Sequence, residues 1–392
     1  MVVGSRAVEG VVMRPDPAFW RGKRVLLTGH TGFKGAWLAI WLHRMGARVV
    51  GAALAPATDH NLFELAQVSE LLEHHRCDVR DPVALAALVR HASPEIVLHL
   101  AAQALVRTGY REPLETFSTN VIGTANLLDA VRGQAGVRAV VVVTTDKVYQ
   151  ERASCYPYRE DDALGGHDPY SASKAAAELV VACYRDSYLG DNGVAVASAR
   201  AGNVIAGGDW AQDRLLPDAF RAWSRDRTLE VRRPAAVRPW QHVLEPLSGY
   251  LLLAEKLWQD PGLAGAYNFG PDTAEMITVG ELVQLARSAF GRGHSAYGTG
   301  ASGPHEAGAL MLEVARSRQV LGIRPCWPVQ QAVSRTMAWY RQYSNGAPAR
   351  GLCLADITDY APENGVHTRS ARAVRVPPAR EAVPATAGLG AA

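Results

Sequence analysis

RVLLTGHTGFKGAWLAIWLHRMG, residues 24–46, is the stretch that decides the fold. Arg24–Thr28 is a short apolar, β-branched run of the kind that makes a buried strand. A glycine-rich turn follows, Thr28-Gly29-His30-Thr31-Gly32-Phe33-Lys34-Gly35, and an apolar helical segment begins at Ala36. Strand, turn and helix in that order suit a phosphate site built from backbone. Small residues let N–H groups approach a pyrophosphate, and the helix N-terminus supplies partial positive charge. The spacing is GxxGxxG rather than GxGxxG, and a ligand-free βα turn reads the same way, so the loop alone settles no cofactor.

Outward from this unit the pattern repeats. Apolar runs at 48–54, 95–101, 137–144 and 194–200 read as further buried strands, and 119–133 and 170–188 read as helices. Continuous apolar strands alternating with helices imply an α/β protein with a parallel sheet covered on both faces. From about 203 the chain breaks into Pro- and Gly-punctuated segments, as expected of a smaller substrate-binding part. The expected organisation is a flexible extension over 1–18, a mainly dinucleotide-binding domain over 19–202 and a mainly substrate-binding part over 203–345. A C-terminal extension over 346–392 is expected to be largely disordered from 363. Asp78, in CDVRD, is placed to meet an adenine edge. No acid stands about 20 residues past the loop at the end of the second strand, where GAALAPATDH offers nothing before Asp59, so NAD and NADP both stay open. Lys34 either favours a phosphate or simply lies along the helix start.

The chain has 392 residues, 48% hydrophobic and 20% charged, with a formal net charge of +3. No apolar run reaches the roughly 18 residues of a membrane span, and the first residues lack the apolar core of a signal peptide. Five scattered cysteines without a CxxC pair argue against a disulfide framework or a zinc ribbon and fit a reducing cytoplasm. The small, spread charge does not indicate nucleic-acid binding, and no metal site is expected. Of the 41 basic residues only Lys23, Lys34, Lys147, Lys174 and Lys256 are Lys; the other 36 are Arg. Lys, unlike Arg, can be tuned toward neutrality, so the few that remain mark candidate chemistry.

Tyr170-Ser-Ala-Ser-Lys174 puts Tyr and Lys at i and i+4 on one helix face. With 13 Tyr and five Lys, chance supplies about 0.17 such pairs. A phenol of pKa about 10 is ionised to about one part in a thousand at pH 7, and lowering it by about three units takes about 4 kcal/mol of favourable charge. Lys174 and an oxidised nicotinamide are the two sources the motif suggests. Thr144-Thr145-Asp146-Lys147 follows the 137–144 strand at its carboxyl end, where open α/β sheets place their ligands.

TGHTGFKG, HLAAQALVR, STNVIGT, TTDKVY, GGHDPYSASKAAAELV, RAGNVI, GGDW, DRLLPD, RPWQHVLEPLSGY, YNFGP and PHEA occur in one order along residues 19–345. In that order and spacing the chain resembles the CDP-glucose 4,6-dehydratases of the extended short-chain dehydrogenase/reductase superfamily. Related dTDP-sugar dehydratases carry Thr-Asp-Glu where this chain has Thr145-Asp146-Lys147, so the Lys points to the CDP branch.

The resemblance implies a Rossmann-type doubly wound parallel sheet with a smaller mixed α/β C-terminal part, bound NAD, and a nucleotide-activated hexose as substrate. It implies an internal redox elimination: C4 oxidation with Tyr170 taking the O4 proton, loss of water across C5–C6, and hydride return to C6. Thr145 would hydrogen-bond O4, Asp146 protonate O6, and Lys147 remove H5 or, on the other reading, stabilise an enolate or pair with Asp146. The cofactor would meet Gly29, Thr31, Gly32, Phe33, Lys34 and Gly35, then Asp78 and Val79, then Leu100, Ala101 and Ala102, besides Tyr170 and Lys174. The substrate would meet Gln103, Arg200, Asn203, Arg238, His242, His305 and Glu306. Helices 119–133 and 170–188 could form the four-helix interface of a homodimer or a dimer of dimers.

One stretch departs from the family, which reads YENREW-V-WGYRE where this chain has Tyr149–Glu160 as YQERASCYPYRE. Either the departure reshapes the substrate pocket, and with it the nucleotide or sugar, or the loop is a surface cover. A 4-epimerase or decarboxylase shares Tyr170 and Lys174 but usually lacks an Asp-Lys pair. A non-catalytic cofactor-binding relative tends to lose the Tyr or the Lys.

Overall fold

The computed structural model of the chain describes residues 13–152, 156–298 and 308–362. Its centre is a seven-stranded sheet of β1 (Arg24–Thr28), β2 (Arg48–Ala53), β3 (Glu73–Arg76), β4 (Ile96–His99), β5 (Ala139–Val143), β6 (Ala195–Ala201) and β7 (Gly265–Phe269). The order is β7-β6-β5-β4-β1-β2-β3, and every pairing is parallel. The expected doubly wound parallel sheet is therefore present, and its order reverses between β1 and β4, where such sheets open a crevice.

Each central strand is apolar on both faces because both faces are covered. Leu27, Leu98, Val141 and Val143 pack on one side with α1 (Phe33–Arg44). Leu26, Val97, Val140 and Val142 pack on the other with α2 (Pro82–Ala92), α3 (Gly123–Arg132) and α4 (Pro169–Tyr184). Successive strand residues alternate between the two cores, as the pleat requires. α5 (Leu244–Gln259) joins the first core through Leu247, Leu251 and Leu257. A third cluster, with Leu216, Trp223, Leu229, Leu282 and Met337, holds together the part beyond residue 203. Because α5 and β7 both come from beyond 203, the two parts interleave.

Two strands had no apolar signature. β3 reads Glu-His-His-Arg because it is a sheet edge whose side chains are largely exposed, and β7 is a short strand at the opposite edge. The 170–188 helix ends at Tyr184 and passes into a π-helical turn over Arg185–Leu189. Residues 13–18, expected to be part of a flexible extension, are instead docked. The backbone N–H of Asp16 and the indole of Trp20 both donate to Glu255 Oε1 on α5, at 2.9 and 2.6 Å. Ala349–Tyr360, within the expected C-terminal extension, is a helix that buries Cys353, Ile357 and Tyr360 in the first core. The expected disorder from 363 falls outside the described residues. Among the described residues no helix is long and apolar enough to cross a membrane.

Candidate active site

At the carboxyl ends of the strands lies a cleft of about 720 Å³. The glycine loop forms one wall. Gly29 has φ +74°, and a Cβ there would stand 2.6 Å from Ala101 N, so β1 and the segment after β4 approach too closely for any side chain. Gly35 is tighter still, since its Cβ would meet Gly29 O at 2.1 Å. Gly32 is the N-cap of α1 without a side-chain cap, which leaves the first-turn N–H groups to a ligand. The Thr28 hydroxyl accepts from the N–H groups of Leu100 and Ala101, both at 3.1 Å, and locks the ends of β1 and β4 together.

All the residues expected at a cofactor line this cleft: Gly29 to Gly35 apart from His30, then Asp78 and Val79, Leu100 to Ala102, Tyr170 and Lys174. The Asp78 carboxylate is fixed by the Arg80 guanidinium at 2.6–3.0 Å, which holds it below the usual carboxylate range. Lys34 does not trail along the surface; its ammonium end is buried at the cleft wall. Its ammonium donates to Tyr250 OH at 2.9 Å, and burial, with Lys174 and Arg214 nearby, brings its pKa down to about 7.

The reacting end is assembled by two elements. The Asp168–Ser171 capping box and Pro169 fix the start of α4, which carries Tyr170 and Lys174 on one face. β5 ends at Val143, Thr144 follows it, and a short 3₁₀ turn over Asp146–Val148 places Thr145, Asp146 and Lys147 in the cleft beside them. Thr145 Oγ1 donates to Asp146 Oδ1 at 3.0 Å and hydrogen-bonds the Tyr170 phenol. Asp146 is buried, its carboxyl is pushed above the usual range by that burial, and its Oδ2 has no partner among the described residues. A carboxyl that stays protonated more readily and has an unmatched oxygen suits a proton donor to a substrate.

Lys174 does not donate to Tyr170. Its ammonium goes to Val143 O at 3.0 Å, and burial brings its pKa down to about 8 against the opposing pull of Glu178. Burial pushes the Tyr170 phenol up to about 12, with the Thr145 bond pulling the other way. The expected lowering by Lys174 is therefore not achieved by these residues alone. The Lys147 side chain makes no hydrogen bond among the described residues and is partly exposed in the cleft.

Of the expected substrate residues, Asn203 and Arg238 line the cleft. Three others do not. Arg200 is turned into the protein, where it pairs with Glu178 at 2.8 Å and donates to Tyr149 OH and to Glu160 O, both at 2.9 Å. His242 is fully buried between Trp37 and Trp327, and that burial brings its pKa down to about 3, so it is a neutral core histidine. Gln103 braces the loop after β4 by donating to Thr116 at 2.8 Å and accepting from Leu105 N at 2.6 Å. His305 and Glu306 lie outside the described residues.

The described part of the divergent loop stays out of the cleft wall. Tyr149 and Tyr158 stack at 4.9 Å, and Tyr149 OH donates to Asn268 at 2.6 Å, so the loop closes over the sheet ends behind the site. Sequence reading missed Arg214, which lines the cleft inside the DRLLPD segment, and Tyr250, the partner of Lys34. It also missed Glu178, which accepts from Thr144, from Ser198 at 2.6 Å and from Arg200, tying α4 to β5 and β6. All three stand in the quoted motifs, but nothing in their spacing reveals their partners.

The fit to a dinucleotide thus rests on a glycine cradle with no room for side chains and an uncapped helix start, with Asp78 further along the same cleft. Comparison with known proteins agrees. Residues 26–314 match the model of the GDP-mannose 4,6-dehydratase family. The chain is 43% identical over 351 residues to the CDP-glucose 4,6-dehydratase of Salmonella typhimurium, covering 88% of this chain and 98% of that one. Among solved structures it is similar to MoeE5 in complex with UDP-glucuronic acid and NAD (TM-score 0.70, 25% identity, 82% of this chain and 100% of that one). The fold is also that of dTDP-glucose 4,6-dehydratase from Bacillus anthracis in complex with NAD (TM-score 0.70, 19% identity, 82% and 97%).

Proposed function

The chain belongs to the GDP-mannose 4,6-dehydratase family, and we propose that within this family of nucleotide-sugar hydro-lyases it uses NAD to convert CDP-glucose to CDP-4-keto-6-deoxyglucose. The observation that carries the reading is the placement of Asp146 and Lys147 in the same cleft as Tyr170 and Lys174. Oxidation at C4 alone needs the second pair; eliminating water from C5–C6 needs the first.

Bound NAD supplies the hydride acceptor, the later hydride donor, and a positive charge near the phenol. Tyr170 takes the O4 proton as C4 is oxidised, and the hydrogen-bonded Thr145 orients that oxygen. Burial holds the Tyr170 phenol above its usual range in the protein alone, so the positive charge of the bound cofactor would have to help favour the phenolate. The 4-ketone then acidifies H5. Lys147 removes that proton from its partly exposed position, and Asp146 gives its proton to O6 as water leaves. Asn203 and Arg238 hold the sugar and its phosphates, and Asp78 meets the adenosine half of the cofactor.

The enzyme works in the cytoplasm as a homodimer. Leu114 and Ile122, on the segment before α3, and Leu179 on α4 leave 84%, 52% and 61% of their surface exposed, and a second copy covers this apolar face. Leu114→Lys with Leu179→Lys then gives a monomer by light scattering; a variant that stays dimeric contradicts this interface. The substrate assignment is tested by incubating the enzyme with CDP-, dTDP-, UDP- and GDP-hexoses and reading the absorbance of the 4-keto sugar in base. CDP-glucose gives the largest kcat/KM on this reading. A preference for another nucleotide would overturn it.

A further inference from the structure

We propose that Glu73, His75 and His91 form a divalent-metal site of the zinc class on the outer edge of the sheet. β3 is the edge strand, with Glu73 and His75 two residues apart on one of its faces. The intervening His74 points the other way, its Nδ1 2.7 Å from the ring of His30. His91 stands in the last turn of α2. Both His75 Nε2 and His91 Nε2 face the same carboxylate oxygen, Glu73 Oε1, at 2.7 and 2.6 Å. All three ligand atoms lie within 4.8 Å of one another.

Two imidazoles and one carboxylate on a single point are a zinc ligand set, and imidazole selects a borderline cation over magnesium or calcium. The distances are those of hydrogen bonds. A tetrahedral ion with bonds of about 2.0–2.1 Å spreads its ligands to about 3.3 Å, so the carboxylate must withdraw by about 0.7 Å. Solvent borders that movement, since the Glu73, His75 and His91 side chains are 52%, 36% and 56% exposed. The same exposure leaves room for water at the remaining positions.

The Nε2 atom of each ring already points at the position next to Glu73 Oε1 that the ion would take. An ion there ties an edge strand to the helix after it. None of the three residues lines the catalytic cleft, so the site is separate from the dehydratase chemistry.

The test is calorimetric titration of zinc chloride into the chelator-stripped full-length protein. One equivalent binds with micromolar affinity, His75→Ala and His91→Ala each weaken it at least about tenfold, and Glu73→Gln also weakens it. Zinc raises Tm in the wild-type protein and leaves the His75→Ala/His91→Ala variant unchanged. Cobalt(II) in place of zinc gives visible absorption that the double variant lacks. Dehydratase activity of each metal-free variant stays at the wild-type level, which shows that the variants are folded. No saturable zinc binding, or binding and Tm shifts that survive in the double variant, would overturn the site.

Discussion

Asp146 and Lys147 carry the step that separates a dehydratase from an enzyme that only oxidises C4, so substitutions there should split the reaction. Lys147→Met is expected to accumulate the reduced nicotinamide in a single turnover while kcat for water loss falls about 10²–10⁴-fold. Full 4-keto-6-deoxy product from this variant would remove Lys147 as the base and leave the electrostatic role. Asp146→Asn keeps the size and a donor but has no proton to give, and it should stall at the same point. Asp146 and Lys147 were legible because TTDK stands at the carboxyl end of an apolar strand and within a family motif, and because Lys is scarce in the chain. Tyr170 and Lys174 were legible because they share a helix face. Arg200 and His242 were misread for a physical reason: a motif fixes where the backbone runs, whereas a strand residue faces ligand or core according to the pleat and the partners it meets. Glu178 and Trp327 supplied those partners.

Two elements set the site, and each has its own test. α4 is clamped to β5 and β6 through Glu178, which is buried along with its partner Arg200. Glu178→Gln leaves that guanidinium without its counter-charge and should cost about 3–5 kcal/mol of stability in a denaturant titration. In the folded fraction kcat falls while KM for the nucleotide sugar stays put. Glu178 also raises the pKa of Lys174, so removing its charge makes the ammonium easier to lose. The alkaline limb of kcat, near 8 in the wild-type enzyme, moves to lower pH in the variant. An unchanged limb would limit Glu178 to stability. The glycine loop gives a second element test. Gly35→Ala forces a methyl within 2.1 Å of Gly29 O, and the dissociation constant of NAD, followed by fluorescence, should rise at least about tenfold. The strand–turn–helix unit was readable because the loop's chemistry is in its backbone. β3 was not, because an edge strand has no buried face to write an apolar pattern, and its His and Glu pointed to no ligand set until α2 brought His91 alongside.

At the scale of the molecule, the chain before β1 is fastened to α5 by a carboxyl that pays a pH-dependent cost. Burial pushes Glu255 from its usual 4.5 up to about 7, so between those values the folded protein holds a proton that the unfolded chain releases. Its contribution is complete below pH 4.5 and is lost as the pH rises through 7. Glu255→Gln removes that dependence while keeping an acceptor for Trp20 and Asp16. Relative to wild type the variant should gain up to about 3 kcal/mol between pH 5 and 8, read from denaturant midpoints. An equal difference at both pH values would show that the carboxyl does not titrate with folding. The docking of residues 13–18 was hidden from sequence reading because its partners, Glu255, Gly322 and Tyr360, stand more than 230 positions away. The central claim concerns the whole reaction, oxidation and return of one hydride within one cleft. It is tested by supplying CDP-glucose with deuterium at C4 and locating the label in the product. The account predicts deuterium in the C6 methyl group of a 4-keto-6-deoxy sugar; deuterium returned to C4, or a 4-keto sugar whose C6 carries none, would contradict it.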